Sequence, residues 1–361
     1  MQETVHSYHA LLQFAESVFL RMGSNARNAR QAAEALLSAD LRGVDSHGIA
    51  RLSGYVRLAQ QDRVNANPSM RVVHETPSTA LVDADAALGL VAGPFAMRKA
   101  IEKAGSAGTG WVAVKNSNHF GIAGYHAMLA LPHDMIGIAM TNASATVAPT
   151  FSRERLLGTN PIAIAIPAGK EHPFVADFAT TTAANGKLEI LQRKNEEAPG
   201  GWVQDADGQP TCDAHALKKG GALLPLGGDR EHGSHKGYML GAVVDIFSGM
   251  LSGANFGPWV PPFPAYLPMP EAMPGEGIGH FFGAMRIDAF RPAERFKVDM
   301  DRWISRFSGA EPVSADRPVV IPGEPERKME EERRSNGIPL MAEVVEDLRR
   351  LAEQLACNWP G

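Results

Sequence analysis

The sequence predicts an α/β protein with two lobes, and three observations support this fold class. The chain has 361 residues, more than one minimal domain needs. Its first forty residues carry helical periodicity, whereas short β-rich runs separated by helical or glycine-rich pieces begin near Met70. Beyond Pro325 the pattern is again helical and charged. We therefore expect an α/β lobe over residues 70–309 and a helical lobe that combines residues 1–69 with 310–361.

The first forty residues are predicted to form a helical hairpin. Apolar residues recur at helical spacing in two runs on either side of Gly23 and Ser24, namely Leu11, Leu12, Ala15, Val18 and Phe19, then Ala32, Ala35, Leu36 and Ala39. Two C-terminal helical segments, residues 326–334 and 342–355, are expected to return and pack on this hairpin.

Seven segments of strand composition are expected to form one sheet. They are residues 71–73, 79–82, 110–114, 136–140, 161–166, 173–177 and 281–287. A helix is predicted over residues 236–251. Seven prolines between Gly257 and Gly279 prevent regular ladders, so an irregular excursion over 257–279 is predicted there, either a lid or an interface arm.

Composition argues against several classes of partner. A formal net charge of −5 and an isoelectric point near 6.2 provide no broad positive field, so nucleic acid is not an expected partner. Two cysteines, Cys212 and Cys357, are fewer than a secreted chain of this size tends to carry, which indicates a reducing compartment. The N-terminus lacks a basic start and an apolar run, and no segment predicts a clean membrane span. We expect a cytoplasmic protein.

A polar cluster over residues 40–55 is the strongest candidate for chemistry. If Ser46 caps the next helix, His47, Arg51 and Tyr55 follow at i, i+4 and i+8 and project from one helix face. Oxidation of a 2-hydroxy acid needs a base near neutral pH, which suits imidazole, and a guanidinium can grip the carboxylate with two hydrogen bonds. The alternative is that Ser46 only caps while the histidine and arginine are ordinary surface residues.

Two further clusters border predicted strand ends. Residues 115–125 follow a strand and open a helix, where free amides favour phosphates and glycines allow close approach. His119 in this cluster is either a second base or a hydrogen-bonded structural histidine. Hydroxyls and amides also accumulate over residues 141–142, 157–161 and 177–187, as ligand contacts or as turn formers.

The standard signatures of several enzyme classes are missing from the sequence. Gly108 and Gly110 precede a strand instead of linking a strand to a helix, so a Rossmann domain is not supported. His232 and His235 lack a partner carboxylate motif, so no metal site is expected. No nucleophile motif in a suitable context appears, which leaves hydrolysis as the weaker alternative.

Several motifs resemble the malate/L-lactate dehydrogenase family of type 2. In chain order they are DLRGVDSHG at residues 40–48, NSNHFG at 116–121, LGTNP at 157–161, HKGY at 235–238 and IPGEPE at 321–326. The resemblance covers nearly the whole chain in consistent order. It implies a non-Rossmann mixed-sheet cofactor lobe, NAD or NADP as cofactor, a small carboxylic-acid substrate and a homodimer.

The resemblance also implies residue roles. His47 is the expected proton donor or acceptor with Ser46 beside it, and His119 is the competing group. Substrate contacts are expected from Arg51, Tyr55, Thr159 and Lys187. Cofactor contacts are expected from His119, Phe120, Gly121, Ile122, Ala123, Asp177, Phe178, Ala179, His235, Lys236, Gly323 and Glu324.

The expected activity is hydride transfer between NAD(P) and a small 2-hydroxy or 2-oxo carboxylic acid such as malate or lactate. Some imino-acid-reducing relatives have an aspartate where this chain has Lys187, which favours a plain 2-hydroxy acid here. A cyclic ketimine reductase and a catalytically silent nucleotide-binding regulator are the alternatives. The proline-rich segment 258–274 is unusual for the family and could reshape the pocket mouth or a dimer contact.

Overall fold

A computed structural model describes residues 3–360. Its helices are α1 (Tyr8–Arg21), α2 (Ala26–Leu41), α3 (Leu52–Gln60), α4 (Gly89–Ala107), α5 (Ala123–Met128), α6 (Asn185–Lys194), α7 (Ser234–Asp245), α8 (Ala293–Ser308), α9 (Glu324–Asn336) and α10 (Ala342–Leu355). Its strands are β1 (Glu3–His6), β2 (Arg71–Glu75), β3 (Thr79–Ala87), β4 (Thr109–Ser117), β5 (Met135–Thr141), β6 (Ile162–Ile166), β7 (Phe174–Phe178), β8 (Val203–Gln204), β9 (Pro210–Thr211), β10 (Ala222–Leu223), β11 (Ile278–Arg286) and β12 (Ile338–Met341).

Seven strands form one mixed sheet in the order β2-β3-β4-β11-β5-β6-β7. Strands β3 and β4 are parallel and joined by α4, whereas the other neighbouring pairs are antiparallel. Central strand β11 pairs Phe282 with Val112 on one side and with Ala139 on the other. All seven segments predicted as strands lie in this sheet, so the mixed-sheet α/β fold class is confirmed. The topology also differs from the all-parallel sheet of a Rossmann domain.

Helices from the two ends of the chain pack on one another, and their assignment to one helical lobe stays a prediction. Helices α1 and α2 form the hairpin, and the side chains of Ser7 and Asn25 cap them by accepting backbone N–H bonds from Ala10 and Asn28. Helix α9 packs on α2, and α10 packs on α1 and α3. Strand β1, which the sequence did not predict, pairs antiparallel with β12. The exact lobe limits at 69/70 and 309/310 remain a prediction.

Other segments refine the sequence expectations. The helix predicted over 236–251 is α7 continued by a π-helical turn, Ile246–Met250. The proline-rich excursion has no strand or α-helix between residues 257 and 277, apart from the 3₁₀ turn Gly257–Trp259. Strands β8, β9 and β10 form a small separate sheet that was not predicted. Within residues 3–360, no helix is long and apolar enough to cross a membrane.

A buried carboxylate fixes the turn after α2. Asp40, only 1% exposed, accepts the backbone N–H of Ile49 at 2.7 Å. Burial raises the pKa of this carboxyl well above its usual value. Gly48 lies directly against the same group, because a Cβ added there would be 2.1 to 2.3 Å from its three heavy atoms. We name this contact between Asp40 and residues 48–49 the Asp40 latch.

Helix α9 holds the latch from the other end of the chain. Arg333 is buried, donates to the carbonyl oxygen of Asp40 and pairs with the carboxylate of Asp45. One turn earlier on α9, Glu330 pairs with Arg42 at 3.3 Å. Two residues of α9 therefore fix both the end of α2 and the turn that follows it.

We expect Gly48→Ala to lower the free energy of unfolding by roughly 2–4 kcal/mol, because its methyl group displaces the Asp40 carboxyl from the Ile49 N–H. Denaturant unfolding followed by circular dichroism measures the change. Gly105→Ala is the matched control: nothing lies within 4 Å of a Cβ at this position in α4. Alanine should there raise the free energy of unfolding by up to about 1 kcal/mol. Equal stability of the two variants would contradict the latch.

Candidate active site

The motif around His47 forms two 3₁₀ turns. These turns, Asp45–His47 and Ile49–Arg51, are separated by Gly48, and α3 begins only at Leu52. The prediction that Ser46 caps a helix and that His47, Arg51 and Tyr55 project from one face of it is therefore wrong. The cause is the Asp40 latch, which holds Gly48 at φ −90° and ψ −148° and interrupts the helical path.

The two candidate histidines nevertheless meet. The ring centroids of His47 and His119 are 5.7 Å apart, and their planes differ by 23°. Ser46 Oγ lies 2.9 Å from Nδ1 of His47, and Nε of Arg51 donates to the Ser46 carbonyl at 2.6 Å. The start of α6 adjoins them, because a Cβ added at Gly186 would lie 2.8 Å from Ser46 Cβ. Three separate segments thus converge on one place.

Tyr55 supports His119 from behind. Its side chain is completely buried, and its hydroxyl lies 2.7 Å from His119 Nδ1. The backbone N–H of Gly121 points at the same nitrogen, at 3.4 Å. Because a backbone N–H only donates, Nδ1 is the acceptor, and the neutral ring carries its proton on Nε2. Burial raises the pKa of the Tyr55 phenol, so the hydroxyl keeps its proton.

Both imidazoles are neutral near pH 7. Burial and the charge of Arg51 lower the pKa of His47 to about 4. Burial lowers the pKa of His119 well below its usual value, and charge on His47 and Arg51 adds to the effect. An anion that neutralised Arg51 would therefore raise the pKa of both rings.

An aromatic ring from the proline-rich segment packs against the ring of His119. The ring centroid of Phe263 lies 4.7 Å from that of His119 and 5.1 Å from that of Tyr55. Gly54 of α3 leaves the room for it, since a Cβ there would lie 2.8 Å from Phe263 Cζ. The sequence analysis did not single out this phenylalanine, and only the proline-rich excursion pointed to the segment.

The expected cofactor residues lie along a connected band that starts at His119. Residues 118–122 join β4 to α5, and the N–H of Gly124 donates to the Asp177 carboxylate at 2.7 Å. Val175 on β7 donates to the carbonyl of Pro322 at 3.0 Å, which brings Gly323 and Glu324 beside that strand. Phe120, Ile122 and Ala123 are buried, Ala179 is half-buried, and Asp177 and Phe178 are exposed.

The band continues to the start of α7. Thr180 donates its N–H to the carbonyl of Thr159 at 2.9 Å and accepts the N–H of Leu226 at 3.0 Å. Gly237 in α7 packs directly on Leu226. His235, two residues earlier, has its Nδ1 3.0 Å from a guanidinium nitrogen of Arg230, and Lys236 is exposed.

A buried aromatic stack holds the first part of this band. Phe120 packs against the rings of His126 and His280, with centroid distances of 4.6 and 4.9 Å. His280 bonds Thr141 Oγ1 at 2.7 Å and Ser117 Oγ at 2.8 Å, which fixes its ring between strands. The turn that carries His119 is therefore rigidly supported by the sheet.

The band suits a nicotinamide nucleotide. The ribose hydroxyls of such a nucleotide require hydrogen-bond acceptors. Its phosphates and carboxamide require backbone donors that can be approached closely. The exposed Asp177 carboxylate supplies an acceptor, and Gly121, at φ +76°, keeps the turn beside His119 free of a side chain. An exposed acceptor and an unobstructed turn therefore fit the ribose part of the cofactor that the sequence predicts.

Some polar residues of the third cluster serve the fold instead. The buried side chain of Asn160 donates to the carbonyl of Gly241 at 2.9 Å and accepts from the N–H of Ala143 at 3.1 Å. Asn142 similarly donates to Asp245 at 3.0 Å. Turn and packing chemistry accounts for both amides. Lys187 is exposed, with its Nζ 5.8 Å from the ring centroid of Trp202.

Possible metal ligands do not cluster in the described part of the chain. Across residues 3–360, no group of three or more His, Cys, Asp and Glu side chains is arranged to hold an ion. His232, one of the two closely spaced histidines, instead bonds the carboxylate of Asp229 at 2.7 Å.

Comparison with known proteins identifies the family. A family model described as malate/L-lactate dehydrogenase matches residues 6–349. The malate dehydrogenase of Pyrococcus abyssi is 41% identical over 346 residues, which cover 96% of this chain and 93% of the relative. The L-sulfolactate dehydrogenase of Methanocaldococcus jannaschii is 36% identical, with 94% of each chain covered. The solved malate dehydrogenase of Entamoeba histolytica matches with a TM-score of 0.92 at 33% identity, over 100% of both chains. The chain therefore belongs to the malate/L-lactate dehydrogenase family.

Proposed function

We propose that the protein is a dehydrogenase that transfers a hydride between NAD or NADP and carbon 2 of a small 2-hydroxy or 2-oxo carboxylic acid. The observation that carries this proposal is the pair of neutral imidazoles, His47 and His119, beside the guanidinium of Arg51. Malate and sulfolactate, the substrates in the relatives' names, share a carboxylate next to a secondary hydroxyl. One cation and one base match these two groups.

Arg51 is the proposed carboxylate-binding group. Its Nε is held by the Ser46 carbonyl, which orients the guanidinium fork. A fork of this kind binds a carboxylate through two parallel hydrogen bonds. Bound carboxylate would offset the charge that lowers the pKa of His47, so the substrate itself would make that imidazole a stronger base. Thr159 and Lys187 remain proposed substrate contacts.

The two histidines have different proposed roles toward the substrate oxygen. When bound, the nicotinamide accepts or supplies the hydride. His47, with Nδ1 directed at Ser46, offers Nε2 as the base that removes the hydroxyl proton during oxidation, and it returns that proton during reduction. His119, with its proton on Nε2, donates a hydrogen bond to the same oxygen and stabilises negative charge there. Ser46 and Tyr55 orient the two rings.

Two alternatives have less support. A cyclic ketimine reductase would use an additional carboxylate at the position of Lys187, which this chain lacks. A silent nucleotide-binding regulator would not require His47, His119 and Arg51 to converge.

The cytoplasmic location and the lack of a nucleic-acid partner stay predictions from composition. Cys212 and Cys357 are both free thiols.

Cofactor binding followed by turnover tests the activity. Titration with NADH and with NADPH, followed by fluorescence, should show saturable binding of at least one nucleotide. A panel of 2-oxo acids that includes pyruvate and oxaloacetate should then produce loss of absorbance at 340 nm. Binding without turnover of any panel member would favour the regulator, and failure to bind either nucleotide would contradict the proposal.

We expect His47→Ala to lower kcat on the order of a hundredfold or more, because the acid/base group is lost. In the wild type, kcat/KM for hydroxy-acid oxidation should fall only as the pH drops towards about 4, where His47 of the free enzyme becomes protonated. His119→Ala should also be slow but should keep this pH dependence, since His47 remains. A folded His47→Ala protein with unchanged turnover would transfer the acid/base role to His119.

We also propose that the protein is a homodimer and that α7 contributes to the interface. Large apolar side chains that are 39% to 60% exposed line this helix and its π-helical extension: Tyr238, Met239, Leu240, Val243, Ile246, Phe247, Met250 and Leu251. A contiguous apolar face of this extent is typical of an interaction surface. The same face of a second copy would cover this apolar face, because a two-fold (isologous) dimer contact buries identical surfaces on both subunits.

Analytical ultracentrifugation checks the dimer. The wild type should sediment with twice the chain mass of 38.7 kDa. Met239→Glu combined with Val243→Glu should shift it to the monomer, because the charges would be buried in the interface. Val313→Glu is the control, since Val313 is 95% exposed and lies outside this face. A wild-type monomer would overturn the assignment.

A further inference from the structure

The proline-rich segment brings a specific side chain to the site. Between Gly257 and Ile278 the chain leaves the π-helical turn, passes over α3 and returns to β11. Two hydrogen bonds hold the segment on the N-terminal side of Phe263. The N–H of Gly257 donates to the buried Asp245 carboxylate at 2.8 Å, and Arg63 donates to the carbonyl of Pro262. Phe263 follows these anchors directly, so its ring has a defined position.

The ring of Phe263 is a half-buried wall beside His119. Its inner part packs on Gly54 and on the ring of Tyr55, and it contacts His119 at a centroid distance of 4.7 Å. The side chain as a whole is only partly buried. If carbon 2 of a substrate lies near His119, the group on its neighbouring carbon 3 would be within reach of this aromatic ring.

One cation, Arg51, lies beside the two histidines. Arg51 is the cation that affects the pKa values of His47, Tyr55 and His119 alike. Lys187 on α6, the other proposed cationic contact, is exposed, and its Nζ lies 5.8 Å from the ring centroid of Trp202, so it is not held at Phe263. A second carboxylate placed against Phe263 would lose hydration and face the negative side of an aromatic quadrupole. A methyl or small alkyl group would be stabilised there by apolar contact.

We propose that Phe263 is a specificity-determining residue that selects substrates with a small apolar group on carbon 3. The preferred class is a 2-oxo or 2-hydroxy monocarboxylic acid with a short alkyl chain, in preference to a dicarboxylic acid. The inference rests on the proposed dehydrogenase function. It also gives the proline-rich excursion a role at the pocket mouth, which is one of the two roles that the sequence left open.

The test compares 2-oxobutanoate with oxaloacetate as substrates of the purified full-length protein. The readout is the ratio of their kcat/KM values, because a disturbance of His119 would lower both values together and leave the ratio unchanged. The wild type should favour 2-oxobutanoate. Phe263→Ala should reduce this preference by about tenfold or more, the range for loss of an apolar contact in a specificity pocket. Phe263→Arg should reverse the preference, because it supplies a partner for the second carboxylate.

Controls separate specificity from folding and from the activity itself. Phe290→Ala removes a ring that is 72% exposed on another segment and should leave the ratio unchanged. Phe263→Leu keeps an apolar wall and should retain the preference if Phe263→Ala fails to fold. A wild-type preference for oxaloacetate, or an equal ratio in wild type and Phe263→Arg, would overturn this inference alone. Absence of turnover with every 2-oxo acid would instead overturn the proposed function.

Discussion

The candidate site depends on a single buried carboxylate. Asp40 accepts the Ile49 N–H and is packed against Gly48, so the chain that leaves α2 cannot continue into a regular helix. Instead it forms two tight turns, one carrying Ser46 and His47 and the other carrying Arg51. A carboxyl group with so little exposure is costly to bury unless it is hydrogen-bonded, and this cost makes the geometry of the turn specific. The positions of His47 and Arg51, the proposed acid/base and carboxylate-binding groups, therefore both depend on this one interaction.

The elements of the fold were predictable because local patterns decide them. Strand-forming composition identified all seven strands of the main sheet, and helical apolar spacing identified the α1–α2 hairpin. What the sequence could not predict was decided by contacts between distant residues. The single-helix prediction for His47, Arg51 and Tyr55 failed because a carboxylate eight positions before Gly48 competes for the backbone. Strands β8 to β10 have only two residues each, too few to show a periodicity.

The same distinction applies to the candidate site. The motifs located His47, Arg51 and His119, and the structure brings them together. Motifs contain no information on direction, so the sequence could not show that Tyr55 contacts His119 from behind and fixes its tautomer. Phe263 was missed because it belongs to no motif, and its contact with His119 depends on where an irregular segment crosses α3. Asn160, by contrast, belongs to a motif, but its side-chain amide bonds the protein's own backbone.

The partnership between Asp40 and Arg333 spans 293 positions of the chain. The N-terminal half of the nascent chain emerges from the ribosome long before Arg333 is synthesised, and domains can begin to fold as they emerge. During that interval α1 and α2 can form from local contacts, but the turn bearing His47 lacks its clamp. Catalytic competence would therefore be acquired near the end of translation, and an incomplete nascent chain would hold the chemical groups without the geometry to use them.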